Sequence, residues 1–468
     1  MIEMNIFSHS LKALSELVGA DEAALTLLVS ILLGYPIAII YRQYFCGRDQ
    51  YFQHLYFIAS GLLLGYLNYG LDVAHPLLSM VVTYVILAGL GATAAAVGAV
   101  FAFNMIYLLI GYYTTSTEYY DINWTMPHCV LVLRLIGIAF DYFDGQQKED
   151  TLGADNKRFM LKTLPNPLEF FGFAFFPSSF LVGPQFPMRR YQNFVNGDFG
   201  DKTDPFKPPR SEYAALKRFG LGVFYLSVFQ IMGMYVSDSY MVSEDFRELS
   251  FIRKHLILGL WGRFTLYKYI SCWLLTEGSC ILFGITYDGI DEKGEKQWNG
   301  LENVKLSIFE NTLDFDDYVH SFNTNTNLWL GHYIYKRLKF LGNRNFSHLG
   351  ALMFLAVWHG FHTGYFVAFF IEFLVIYTER DIKTIVKSNE KVSQFFNQPM
   401  VNIPLKLFLR LYTFIFMGFC LIPFVLFTWE NYTYTYVSIN YSGLILYVLY
   451  PVLWGPILRA VLKRKKTD

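Results

Sequence analysis

Charged side chains are scarce. Lysine plus arginine number 38 and aspartate plus glutamate 38 in 468 residues, so charge makes up 16% of the chain and sums to zero. A soluble domain needs more charge than this to cover its surface. A neutral chain also lacks the basic footprint of a nucleic-acid binder. Cysteine is scarce too. Cys46, Cys129, Cys272, Cys280 and Cys420 are scattered and odd in number, and no CxxC spacing occurs, so neither a disulfide framework nor a metal site is indicated. The N-terminal stretch has no basic region followed by a small-residue cleavage site, and no cleaved signal peptide is expected. No histidine is followed five positions later by aspartate, and GxSxG, HExxH and Walker A sequences are missing. Serine-hydrolase and metalloprotease chemistry therefore have no support. No internal repeat is visible; inverted repeats would have favoured a transporter.

What the chain has is apolar length. Hydrophobic residues make up 54% and aromatics 19%. They gather in stretches near 23–41, 52–70, 76–92, 93–113, 128–141, 167–186, 217–237, 255–285, 348–377, 405–428 and 441–462. A bilayer core of about 30 Å needs about 20 such residues as a helix, so the pattern predicts an all-α polytopic membrane protein with about eleven transmembrane helices. Several stretches are short or broken by proline and glycine, which predicts re-entrant and interfacial helices as well. "GLGATAAAVGAV" from Gly89 lacks the third glycine and the preceding strand of a nucleotide loop, and reads as small residues that let helices pack closely. No boundary divides the chain, and residues 1–468 read as a single integral membrane domain.

The tail "KRKKTD" carries Lys465 and Lys466 at the fourth and third positions from the end. This resembles the di-lysine retrieval signal of endoplasmic reticulum membrane proteins. A short basic tail is also what the positive-inside rule predicts for a cytosolic end. Stepping back two spans puts the loop 378–404, with Arg380, Lys383, Lys387 and Lys391, on the same side. The polar connection 286–326, rich in acids, reads as a solvated loop.

Two constellations could carry chemistry. His359 sits in "FLAVWHGFHTGYFVAFF", where an ionisable group costs a few kcal/mol unless it has a partner or water, so it must face the protein interior. It is either a satisfied structural histidine or a general base, since neutral imidazole titrates near physiological pH. His362, one turn on with Thr363 and Tyr365 near it, reads better as a hydrogen-bonding neighbour. The second constellation is "SFNTNTNLWLGHYIYKRLKFLG". Asn323 and Asn327 would share a face if helical, with Asn325 pointing elsewhere; asparagine is equally a helix start. Beyond it, Leu330, Ile334, Leu338 and Leu341 fall on one stripe and His332, Lys336 and Lys339 on the opposite one, the pattern of a helix lying along a membrane surface. Its cations could meet lipid headgroup phosphates or those of a phosphorylated co-substrate.

Together these segments resemble the membrane-bound O-acyltransferase family. "WHGFHTGYFVAF", Trp358 to Phe369, fits that family's WHGxxxGYxxxF pattern at every fixed position. "FNTNTNLW…YKRLKFLGNR" resembles the asparagine segment of its lysophospholipid branch, with Asn323 thirty-six residues before His359. "RLIGIAFDYFDG" (Arg134 to Gly145), "PSSFLVGPQFPMRRY" (Pro177 to Tyr191) and "YKYISCWLLTEG" (Tyr267 to Gly278) resemble the same branch. The resemblance runs from about 120 to 380; residues 1–119 and 405–462 match only as further spans. It implies helices around a central chamber, and acyl transfer from acyl-CoA to a lysophospholipid hydroxyl. His359 would be the catalytic base and Asn323 the paired catalytic asparagine. Lys336, Arg337, Lys339, Arg344, His362 and Tyr365 are candidates for binding CoA or substrate. Acyl-CoA is then a co-substrate, with no permanently bound cofactor and no metal. Two rivals are a family member that acylates a protein or a sterol, and a transporter using His359 as a proton site.

Overall fold

A computed structural model describes residues 12, 15, 16, 21–117, 122–200 and 209–462; Lys465 and Lys466 lie outside them. Among these residues the regular structure is helical, with two isolated β-bridges and no longer strand. The expectation of an all-helical membrane protein holds. The chain divides into two compact units, 1–224 with 270–303, and 225–269 with 304–468.

The first unit holds α1 (Glu22–Ile40), α2 (Gln50–Tyr69), α3 (Ala74–Leu90), α4 (Ala94–Thr115), α5 (Thr125–Asp144), α6 (Pro167–Ala174) and α7 (Met188–Val195). It exposes apolar side chains and buries some polar ones within an apolar core. Val85, Ile106 and Ile110 are exposed on α3 and α4, whereas Thr83 and Asn104 are fully buried and hydrogen-bonded to each other at 2.9 Å. That arrangement suits a hydrocarbon solvent. Prolines 177, 184 and 187 and Gly183 (φ +96°) keep the "PSSFLVGPQFP" segment from forming one helix. The backbone carbonyls this frees need donors. Arg134 of α5 supplies them. Its buried guanidinium donates to Phe173 O and Ala174 O (both 3.2 Å), Ser179 O (2.9 Å) and Pro184 O (3.2 Å), between the rings of Phe173 and Phe186.

Helices α8 (Glu212–Gly233) and α9 (Phe251–Phe283) each contribute residues to both units. In the second unit follow α10 (Phe315–Ser321), α11 (Thr324–Leu330), α12 (Arg344–His359), α13 (Thr363–Ser388), α14 (Pro399–Leu426), α15 (Trp429–Ser438) and α16 (Gly455–Leu462). Helix α13 packs against α12, α14 and α16. Its Asp381 holds Arg459 of α16 at 2.9 Å and accepts from Tyr450 Oη at 2.8 Å.

Eleven apolar stretches do not yield eleven spanning helices. Six helical stretches among the described residues are long and apolar enough: Glu22–Phe45, Gln50–Leu90, Ala94–Thr115, Thr125–Asp144, Glu212–Gly233 and Pro399–Leu426; a bent pair, Ser442–Val448 with Tyr450–Leu462, makes a seventh. Stretch 167–186 breaks at its prolines. Stretch 348–377 divides between α12, only 16 residues long, and α13, which carries Glu372, Glu379, Arg380 and Asp381. The acidic connection 286–326 is not one solvated loop either. Asp291, Glu292 and Glu295 are exposed, as expected, but half-buried Glu302 pairs with Arg218, and residues from 304 onward belong to the second unit.

Candidate active site

The candidate site is built within the second unit. Asp314 caps α10 by accepting from Asp317 N at 2.8 Å. The same end of α10 is tied to α13: Lys383 reaches Asp314 at 2.6 Å, Arg380 reaches Asp316 at 2.7 Å, and Phe315 N donates to Glu379 Oε2 at 2.9 Å. Burial would raise the Asp316 pKa, but the facing Arg380 and Lys383 outweigh it and hold the carboxyl below its ordinary value. After α10 the chain extends, with Val304 and Phe322 forming an isolated bridge, and then turns sharply at Asn323.

Asn323 adopts left-handed backbone angles, φ +48° and ψ +44°, just before α11. It therefore does not share a helical face with Asn327. Its carbonyl accepts from Asn327 N at 3.0 Å, opening the helix, but its carboxamide is not used as a cap. Asn327 instead turns its amide back and donates to Val319 O and Phe322 O, both at 2.9 Å. It clamps the turn that carries Asn323. Non-glycine residues in this region cost about 1 kcal/mol, asparagine among the least, and such strain collects at functional sites.

The amphipathic helix expected after the asparagines is not continuous. Helix α11 ends at Leu330, a π-turn covers Gly331–Tyr335, and a 3-10 turn covers Arg337–Leu341. The wider π-turn, closed by Lys336 N to Gly331 O at 3.0 Å, rotates the stripe. His332, expected on the polar face, is buried, and Leu341, expected on the apolar one, is exposed. The chain then reverses at Gly342 into α12. Ser347 Oγ donates to Leu338 O at 2.9 Å, and the rings of Trp329 and Phe354 stack at 5.7 Å, so the segments run antiparallel. Six residues back from Trp329 is Asn323; five forward from Phe354 is His359. At about 1.5 Å per helical residue both lie at the same end of this hairpin.

His359 is the last residue of α12, and Gly360, at φ +125°, ends the helix in a conformation closed to side chains. Gly364 explains the second glycine of the motif: a Cβ there would lie 2.0 Å from Pro423 O of α14. Around the imidazole stand Tyr365 (centroids 5.2 Å apart), Phe369 (5.5 Å, stacked) and Phe424 (5.1 Å, edge-on). His359 is half-buried, and neither ring nitrogen is hydrogen-bonded within the described residues. The fully buried His54 and His128 differ. His54 Nδ1 meets Tyr191 Oη at 2.7 Å, and His128 Nε2 meets Ser79 Oγ at 3.3 Å. An imidazole with both nitrogens accessible inside an aromatic cage can accept a proton from a ligand.

Tyr365 is buried in that cage, and its ring also touches Phe427. His362 is half-buried, packs against Phe427 at 5.2 Å and precedes α13. Phe427 itself has φ +55°, a strained value for a bulky residue. Lys336, Lys339 and Arg344 are exposed and Arg337 is half-buried, all around the hairpin turn and away from the Asn323–His359 end. The cage residues Phe369, Phe424 and Phe427 and the Asn327 clamp went unforeseen. Only Phe369 carried a signal, as the final position of the WHG pattern; 45 phenylalanines give the others no distinction.

The chain matches the membrane-bound O-acyltransferase family over residues 109–422. It is similar to human lysophospholipid acyltransferase 5, 41% identical over 457 residues that cover 98% of this chain and 93% of that protein. The Drosophila melanogaster protein of the same name is 43% identical, covering 92% and 87% respectively. The Caenorhabditis elegans one is 34% identical, covering 97% and 96%. A family match across most of the chain, and relatives of this identity along nearly its whole length, place the chain in the membrane-bound O-acyltransferase family.

Proposed function

We propose that the protein is a lysophospholipid acyltransferase, moving a fatty acyl group from acyl-CoA to the free sn-2 hydroxyl of lysophosphatidylcholine and related lysophospholipids. The relatives named lysophospholipid acyltransferase 5 support this acceptor class. The observation that carries the chemistry is the unbonded, accessible imidazole of His359, caged by aromatic rings at the hairpin end that also bears the strained Asn323.

A secondary alcohol is a weak nucleophile, so a base must take its proton as the oxygen attacks the thioester carbon. His359 does this. The tetrahedral intermediate then expels the CoA thiolate, which recovers the proton from the imidazolium, and the step balances without a permanent cofactor. Asn323 donates an amide hydrogen at the reacting centre, to the developing oxyanion or to the acceptor oxygen; such a donor is worth about 3 kcal/mol in comparable sites. Tyr365, with Phe369 and Phe424, excludes the water that would hydrolyse the thioester, and His362 lines the entry beside it. The exposed cations Lys336, Lys339 and Arg344, with Arg337, meet the CoA phosphates from the cytosolic side. The whole chain acts as one membrane enzyme of the endoplasmic reticulum, with its lysine-bearing end cytosolic.

The test is mass spectrometry of the lipids formed by purified protein given acyl-CoA and lysophosphatidylcholine. Phosphatidylcholine should form with the wild type. His359→Ala and Asn323→Ala should each lower kcat at least about 100-fold while leaving the protein extractable and folded. Normal turnover by His359→Ala would overturn the assignment.

A further inference from the structure

On α13, Tyr365, Phe369, Glu372, Ile376, Glu379 and Lys383 recur every three or four positions and fall on one face. Both ends of this stripe are occupied. Tyr365 and Phe369 lie against His359, while Glu379 accepts from Phe315 N and Lys383 pairs with Asp314. The middle is not. Glu372 makes no hydrogen bond or ion pair among the described residues. The residue is half-buried, and its carboxyl lies near the buried thiol of Cys420 on α14. His359 is likewise half-buried and unbonded. A half-buried polar group without a protein partner is open to a ligand.

A half-buried carboxylate with no partner is costly unless it is protonated or a cation meets it. No lysine or arginine among the described residues does so. Phe369, three residues back on the same face, offers a ring that also favours a cation. Glu372 lies about one helical turn, ~5 Å, beyond the ring that stacks on His359. In a lysophospholipid the headgroup nitrogen is separated from the secondary hydroxyl by two glycerol carbons, the phosphodiester and an ethylene unit. With the hydroxyl at His359, that reach extends past Phe369 to the next turn.

We infer that Glu372 receives the cationic headgroup nitrogen of the acceptor lipid. Choline, ethanolamine and serine headgroups share that nitrogen, whereas glycerol and inositol headgroups lack it. The inference rests on the lysophospholipid reading above. It makes Glu372 a specificity-determining contact, distinct from the proton-transfer and oxyanion groups.

The test uses the purified full-length enzyme with two acceptors, lysophosphatidylcholine and lysophosphatidylglycerol. Glu372→Gln should raise KM for lysophosphatidylcholine about tenfold, as loss of a charge-assisted contact does, with kcat and the acyl-CoA KM changed less than about twofold. The preference for lysophosphatidylcholine over lysophosphatidylglycerol should fall by about the same tenfold. Where lysophosphatidylglycerol turns over too slowly, its inhibition constant against lysophosphatidylcholine gives its affinity. Equal losses for both acceptors, or none, would overturn the inference. Glu372→Asp keeps the charge but draws it back; it should shift the KM of the cationic acceptor alone, and equal shifts would count against the contact even if Glu372→Gln failed to fold. A wild type that acylates neither acceptor sinks the lysophospholipid reading itself. A wild type that acylates lysophosphatidylcholine, with an indifferent Glu372→Gln, sinks only the headgroup contact.

Discussion

Asn323 combines two demands that most residues cannot meet together: a left-handed backbone and a carboxamide. Substitution separates them. Asn323→Gly relieves the backbone and deletes the amide; Asn323→Ala deletes the amide and leaves a Cβ in strained backbone. Both should be inactive in acyl transfer. By thermal unfolding in detergent, Asn323→Gly should be the more stable of the two, by up to about 1 kcal/mol. Equal stabilities would mean that the turn is held by something other than its own backbone preference. His359 and Asn323 were legible as candidates because unusual residue types stood in apolar or patterned surroundings. Asn327 was legible only as a residue, not in its role. Its importance lies in bonds to Val319 O and Phe322 O across a turn that helical spacing does not foresee.

At the scale of elements, the α11–α12 hairpin sets the separation of the two candidate groups, and the Asn327 clamp fixes its entry. Asn327→Leu leaves two carbonyls without their donor and should cost about 2 kcal/mol of stability. Its kinetic effect should fall on kcat rather than on the KM for either substrate, because the turn bearing Asn323 loosens while the cage stays intact. A change confined to KM would assign Asn327 to binding. Gly364→Ala is harsher. Its Cβ meets a backbone carbonyl of α14, which cannot swing aside as a side chain could, so α13 must shift. Lower yield of folded protein, seen as aggregation on size-exclusion chromatography, is the expected result. Helix existence was readable from apolar runs, but helix continuity was not. The π-turn at Gly331–Tyr335 and the 3-10 turn after it follow from tertiary contacts around Trp329 and Ser347, and local pattern alone gives one amphipathic helix instead.

For the whole molecule, exposed apolar faces and buried polar pairs require hydrocarbon around the spanning helices. Alkaline carbonate should leave the protein in the membrane pellet, and only detergent should release it. Release by carbonate would contradict the six spanning stretches. The class of fold was legible in composition, since 54% hydrophobic residues with little charge leave few alternatives. The span count was not, because hydropathy cannot separate a helix facing lipid from one that buries Glu277 or Glu379 inside protein.

Arg134 has a consequence in time. During synthesis it enters the bilayer ahead of Phe173, Ala174, Ser179 and Pro184, whose carbonyls will hold it. Until that segment emerges, the guanidinium is a cation waiting in the membrane without its receptor. Nascent chains released before residue 173 should therefore be cleared rapidly, and chains released after residue 187 should persist, a difference that pulse–chase labelling would expose.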